Sequence, residues 1–193
     1  MMQLRRLSPI VASFSLLIGI TWTGAAVAEP RDHSGFYLGI GPGFGFENFD
    51  VPGGIDIDAA FGFDAWGGYK FNEWIATELQ LEYLNGFDID VANIDGQAVT
   101  FGANVKLFPF AFVLTDRIQP FLMAGPGFTW LQLDVGPLGT ADDLGFSARF
   151  GGGIDFYITD NVALQASSSY VLTTGDLDGA DYISLVTGIQ YKF

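Results

Sequence analysis

Residues 182–193 read YISLVTGIQYKF, and their alternation decides the fold. Ile183, Leu185, Thr187, Ile189, Tyr191 and Phe193 fall on one face, and Ser184, Val186, Gly188, Gln190 and Lys192 on the other. A period of two belongs to a half-buried strand, because successive side chains of extended backbone point to opposite sides. The pattern recurs upstream. In 74–83, Ile75, Thr77, Leu79, Leu81 and Tyr83 oppose Ala76, Glu78, Gln80 and Glu82; in 61–71, Phe61, Phe63, Ala65, Tyr69 and Phe71 oppose Asp64, Trp66 and Lys70. Segment 99–107 sets Val99, Phe101, Ala103, Val105 and Leu107 against Thr100, Asn104 and Lys106. Segment 146–158 sets Phe146, Ala148, Phe150, Ile154, Phe156 and Ile158 against Ser147, Arg149, Asp155 and Tyr157. Segment 162–172 sets Val162, Leu164, Ala166, Tyr170 and Leu172 against Gln165, Ser167 and Ser169.

Two further stretches, 35–45 and 118–132, are apolar or glycine at nearly every position and carry Pro42 and Pro126. Proline cannot donate to a ladder, so inside a sheet it marks an edge, a bulge or a strand end. They are read as the first and fifth of eight strands. Both contain Gly-Pro-Gly-Phe, at 41–44 and 125–128, an echo too short to be called a repeat.

The connections alternate in character. Asn72 with its neighbours, and Thr159-Asp160-Asn161, are hairpin-sized. The others, roughly 45–59, 85–97, 133–144 and 173–181, are long and contain thirteen acidic residues without one Lys or Arg. Short turns at one end and long polar loops at the other are the pattern of an outer-membrane barrel. Segment 108–117 (FPFAFVLTDR) breaks the rule, being long and apolar; it is read as a strand extension, a turn dipping into the interface or a slip of register.

Which face meets water separates two architectures. A soluble sandwich or lipocalin-like barrel turns its apolar face inward and leaves the polar face free to carry any charge. A membrane barrel turns the apolar face to lipid, and charges on the other face must be paired. Here Asp64, Glu78, Glu82 and Asp155 are matched by Lys70, Lys106, Arg149 and Lys192, although the whole chain carries −14. That balance predicts an ion-pair network inside the barrel. Aromatics near strand ends, Phe61, Phe71, Trp74, Tyr83, Phe156, Tyr170, Tyr182, Tyr191 and Phe193, suit girdles at the two interfaces.

The chain of 193 residues is one domain's worth after its leader. Residues 1–28 run from Arg5 and Arg6 through an apolar stretch to Ala26-Val27-Ala28, the layout of a cleaved secretory signal peptide. A stub, 29–34, then leads into the barrel, 35–193. Cleavage removes both arginines and leaves 165 residues with six Lys+Arg against 22 Asp+Glu, a charge of −16. Phosphate backbones are repelled by such a surface, so nucleic acid is excluded as a partner. No cysteine is present, which excludes disulfides and thiolate chemistry. With 49% hydrophobic residues, 19 Phe and 26 Gly, the chain has material for a fold in spite of its charge.

At Gly35-Phe36-Tyr37-Leu38-Gly39, at Gln119-Pro120-Phe121-Leu122-Met123-Ala124-Gly125, and above all at the closing Gly188-Ile189-Gln190-Tyr191-Lys192-Phe193, the chain resembles the OmpA-like outer-membrane β-barrel proteins of Gram-negative bacteria. The resemblance covers 34–193. It implies an all-β, eight-stranded, antiparallel up-and-down transmembrane barrel in the outer membrane, contacting lipid and lipopolysaccharide. It also implies that Ile189, Tyr191 and Phe193 are the signal read by the barrel-assembly machinery. The family's peptidoglycan-binding domain is expected to be absent because the sequence stops at Phe193. Members include structural proteins, adhesins and narrow pores, so the resemblance speaks for architecture more than for function.

No catalytic set is expected. A serine hydrolase needs a histidine beside its serine, and His33, the single histidine, is read as a solvated linker residue remote from Ser167, Ser168 and Ser169. Glu78, Glu82 and Asp64 imitate an acid–base pair, but neighbouring Lys70, Lys106 and Arg149 favour charge compensation. Asp176-Leu177-Asp178-Gly179-Ala180-Asp181 lacks calcium-loop spacing, and Gly151-Gly152-Gly153 lacks the Lys-Ser/Thr of a phosphate cradle. No cofactor or metal is expected. The reading is a filled barrel with a structural role or a surface-contact role towards a host or surface ligand at its acidic loops. The alternative is a narrow porin-like channel for small solutes, along Gly62, Gly68, Gly102, Gly151, Gly153 and Gly188.

Overall fold

The computed structural model describes residues 33–47, 59–86, 95–110, 117–134 and 140–193. Its strands are β1 (Gly35–Glu47), β2 (Ala60–Lys70), β3 (Ile75–Asn85), β4 (Asp95–Leu107), β5 (Ile118–Asp134), β6 (Thr140–Tyr157), β7 (Val162–Thr174) and β8 (Tyr182–Lys192). Each pairs antiparallel with its neighbour in chain order, and β8 closes on β1 through Tyr37↔Lys192 to Glu47↔Tyr182. Closure leaves no unpaired edge, which hydrocarbon would not tolerate. At 11 to 18 residues, every strand reaches the ~9–11 needed to cross a bilayer at a tilt. The leader expected at 1–28 lies outside the described residues.

β3 shows which face is which. Glu78 and Glu82 are 3% and 0% exposed, while Leu79 and Leu81 between them are 55% and 43% exposed. The same inversion holds for Phe36, Leu38 and Ile40 on β1, Phe101 on β4, Leu122 on β5, Phe150 on β6 and Ile189 on β8, all exposed. The inverted-face alternative, a soluble carrier with these side chains as its core, is thereby excluded.

Aromatic pairs band the outer face at two heights. At the end carrying the short turns, Tyr69 lies 4.7 Å from Phe36 and 5.1 Å from Phe71, and Tyr191 lies 5.1 Å from Phe193. Towards the loop end, Phe44–Phe61, Phe63–Tyr83 and Phe128–Phe146 stand at 5.3 to 5.6 Å. Tyr182 corrects the expected girdle. It begins β8 on the inward parity, is 3% exposed and bonds Thr100 in the lumen.

The short turns are locked by their own side chains. Asn72 Oδ1 accepts from the amides of Trp74 (2.8 Å) and Ile75 (3.1 Å), and Thr159 Oγ1 from those of Asn161 (3.3 Å) and Val162 (3.0 Å). Such side-chain-to-backbone bonds are why Asn and Thr favour turns. At the third turn the ladder stops at Leu107. Phe108 then turns inward to 2% exposure, its amide donating to the Trp74 carbonyl at 2.8 Å. Residues 108–110 are therefore not a strand extension, and 111–116 lie outside the described residues.

Both prolines sit inside strands with register intact. Pro42 pairs with Phe63 on β2, but the β1–β8 ladder skips from Ile40↔Ile189 to Gly43↔Val186. Pro126 pairs with Ala148 on β6, and the β4–β5 ladder skips from Gly102↔Gly127 to Val105↔Ala124. In each case the missing donor interrupts one ladder and leaves the other whole. The Gly-Pro-Gly-Phe echo thus marks equivalent features on opposite walls of the barrel. The 133–144 connection is shorter than expected: β5 and β6 stay paired out to Asp134↔Thr140, so Asp134, Asp142 and Asp143 lie on strands.

Candidate functional site

The lumen is where the sequence placed its chemistry. Inward positions of the turn half carry bulky groups, and the space they need is provided by glycines opposite. A β-carbon on Gly188 would lie 2.7 Å from the Trp66 ring, one on Gly153 2.7 Å from Phe121, and one on Gly68 2.5 Å from the Tyr37 hydroxyl. Three of the six glycines expected to leave a water path therefore lie beneath aromatic rings. Tyr37, Trp66, Phe108, Phe121 and Met123 form one buried apolar cluster with Ala76 and Val186.

Two charged groups sit within this packing. In the first, nearer the turns, the Lys106 ammonium meets Glu78 at 2.5 Å and donates to Gln165 at 2.9 Å. The Tyr37 hydroxyl donates to the same Glu78 oxygen at 3.1 Å. Lys70 donates to Gln119 and stands 3.8 Å above the Phe108 ring, and Lys106 stands 4.4 Å above Phe121. Buried Asp155 faces the fields of both lysines. In the second group Arg149 donates to Glu82 at 2.7 Å and to Ser169 at 2.9 Å, while Ser184 donates to Glu82 at 2.8 Å. Asp64 lies directly across the ladder from Glu82 and accepts from Gln80 at 2.8 Å; Gln80 in turn accepts from Asn104 at 2.9 Å. Between the groups the Trp66 indole donates to Gln190 at 3.0 Å. Towards the loops, Thr100 bridges Thr129 (3.0 Å) and Tyr182 (2.8 Å).

Seven of the eight predicted interior charges are buried here. Lys192 is half-buried at the turn end, where its carbonyl accepts from Asn161 at 2.8 Å. Glu78 and Glu82 are drawn to different cations, so they form no acid–base pair. Ser169 is held by Arg149, Ser168 faces outward and Ser167 is half-buried. His33 is a correction: it is 5% exposed and stacks on Tyr157 at 3.8 Å. The flat imidazole covers the Tyr157 phenol at the turn end, and sequence position alone gave no sign of it. The glutamines 80, 119, 165 and 190 were also missed as a group, although each sits at an inward parity position. Ile189, Tyr191 and Phe193 project outward, 51%, 50% and 69% exposed. No cluster of three or more metal-ligating side chains exists among the described residues.

A closed eight-stranded barrel with an apolar outer face, aromatic girdles and a buried charge network in its lumen defines an integral outer-membrane β-barrel. The chain belongs to the outer membrane protein beta-barrel domain family, whose profile matches residues 13–193. Outer membrane protein A of Salmonella typhi is 25% identical over 183 residues, covering 87% of this chain and 51% of that protein, so the chain spans about half the length of the curated relatives it matches. Neisserial surface protein A superposes with a TM-score of 0.69 at 17% identity, covering 83% of this chain and 98% of that one. The attachment invasion locus protein Ail of Yersinia pestis superposes at 0.59 with 19% identity, covering 83% and 99%. Ail has also been solved with the heparin analogue sucrose octasulfate. The protein is thus an OmpA-like barrel of the Gram-negative outer membrane.

Proposed function

We propose that the protein is a non-catalytic barrel with a filled lumen, serving the envelope structurally or through contacts of its acidic loops. The observation that carries this reading is the cross-section at Tyr37, Trp66 and Phe121, where aromatic rings cover the glycines and the two charged groups satisfy most of their own polar atoms. On this reading Asp64, Lys70, Glu78, Glu82, Lys106, Arg149, Asp155 and Lys192 act as an internal network that fixes strand register. Ile189, Tyr191 and Phe193 serve as the assembly signal.

The loop end, whose connections and adjoining strand ends together carry thirteen acids and no base, favours a partner of positive charge. A polyanion such as the sulfated sugar seen on Ail is disfavoured by like-charge repulsion. Lipopolysaccharide bridged by divalent cations fits, because Mg2+ and Ca2+ prefer carboxylate oxygens. The test is thermal unfolding of the barrel in vesicles with and without lipopolysaccharide and Mg2+. A stabilisation that requires both, and is lost when the loop acids are changed to Asn and Gln, is expected. Equal unfolding temperatures in all four conditions would remove the loop-contact role.

The narrow channel is the second reading. Gly43 and Gly102 favour it, since a β-carbon on either would meet nothing nearer than 3.7 Å. The loop half of the lumen is therefore less tightly filled than the turn half.

A further inference from the structure

The β7–β8 connection folds back against the loop end of β6. β6 and β7 part company at Phe146↔Thr174, beyond which β6 is paired only with β5. A single 3-10 turn, Gly175–Leu177, fills the gap. Leu177 is 4% exposed, and a β-carbon on inward-facing Gly145 would lie 3.0 Å from it. An apolar side chain from a surface connection is thus buried against an inward-facing position of β6.

The turn has hinges and a latch. Gly175 and Gly179 bracket Leu177 at φ +80° and +90°, a region most residues avoid and glycine enters freely. A β-carbon on either would meet nothing within 4 Å, so their role is conformational. The latch is Asp181, whose carboxylate accepts from the Thr173 amide at 2.8 Å and the Tyr170 hydroxyl at 2.7 Å. The Thr173 hydroxyl donates to the Leu177 carbonyl at 2.6 Å. Adjacent Asp178 is exposed, so the strap presents charge outward and one leucine inward.

We infer that residues 175–181 are a hinged strap that closes the loop end of the lumen, with Leu177 as its stopper and Asp181 as its latch. Release of the latch exposes Leu177, Gly145 and the Thr100–Thr129–Tyr182 ladder to solvent without disturbing the strands. The strap deepens the filled-barrel reading at one mouth and stands whether or not the loops bind a partner.

The chain has no cysteine, so single thiols report directly. Leu177→Cys and Asp178→Cys would be labelled with a membrane-impermeant maleimide on the folded, detergent-solubilised barrel, each with and without Asp181→Ala. Folding is verified by faster migration of the unboiled protein. The Leu177→Cys thiol is expected to react at least tenfold more slowly than the Asp178→Cys thiol, and Asp181→Ala is expected to remove most of that difference. Asp181→Asn, which keeps an acceptor oxygen, should remain intermediate. Equal rates at 177 and 178 in the parent would show that no closed strap exists, and a slow 177 unaffected by Asp181→Ala would show that Asp181 is not the latch. Labelling in detergent does not depend on which side of the membrane the loops face or on what they bind, so its failure is distinct from failure of the loop-contact role.

Discussion

Arg149 is the bonded cation of Glu82, and Glu82 stands across the ladder from Asp64. Removing one member of a buried pair leaves a charge with no solvent to receive it, at a cost of about 3–5 kcal/mol, whereas replacing both by apolar groups is often close to neutral. Arg149→Met is therefore expected to lower unfolding stability in urea by about that amount, and Arg149→Met with Glu82→Met to recover most of it. A double variant as unstable as the single one would mean that the pair does not act as a unit. At the same scale a lipid-facing charge is costly: Leu79→Arg is expected to cost about 2–4 kcal/mol if it lies near the midplane, read by the same urea titration. The charges were legible in the sequence because they share a parity with Gln and Asn. Their partners were not, since which inward residues meet depends on the stagger between strands. Tyr182 was misread by residue type, since the parity of β8 already sets it with Ser184 and Val186; His33 precedes β1, where alternation has not begun.

The strands themselves were legible from period two alone, and their turns from Asn72 and Thr159. What the pattern lost was the reach of β5 and β6. Leu133, Asp134 and residues 140–144 carry Asp and Thr without clear alternation, so they resembled loop, yet at ~3.3 Å per residue β6 extends to roughly 60 Å. The two Gly-Pro-Gly-Phe runs were noticed without a meaning. In the barrel the glycine before each proline packs against neighbouring backbone, with a β-carbon on Gly125 falling 2.7 Å from Asn104 Cα. Gly125→Val is expected to abolish the heat-modifiable band, while Gly43→Ala, whose added methyl would meet nothing nearer than 3.7 Å, is expected to leave it intact. If both fold alike, close approach at the prolines is not what these glycines serve. Deleting Phe193 should reduce the folded fraction in the outer membrane several-fold, measured by fractionation; unchanged recovery would remove its role as an assembly signal.

For the molecule as a whole the interior is stratified. His33, Tyr157 and Phe108 are buried towards the turn end, two charged groups occupy the middle around Trp66, and Leu84, Tyr182 and Leu177 are buried towards the loop end. Eight strands enclose a bore that side chains alone can fill, and here the large residues are matched to glycines on the facing strands. The central claim is that this lumen does not conduct. Its most direct test is single-channel recording of the folded barrel in a planar bilayer, with Trp66→Gly as the comparison. The parent is expected to be silent and the variant to show openings. Steady openings of uniform size in the parent would contradict the filled barrel and make the protein a channel.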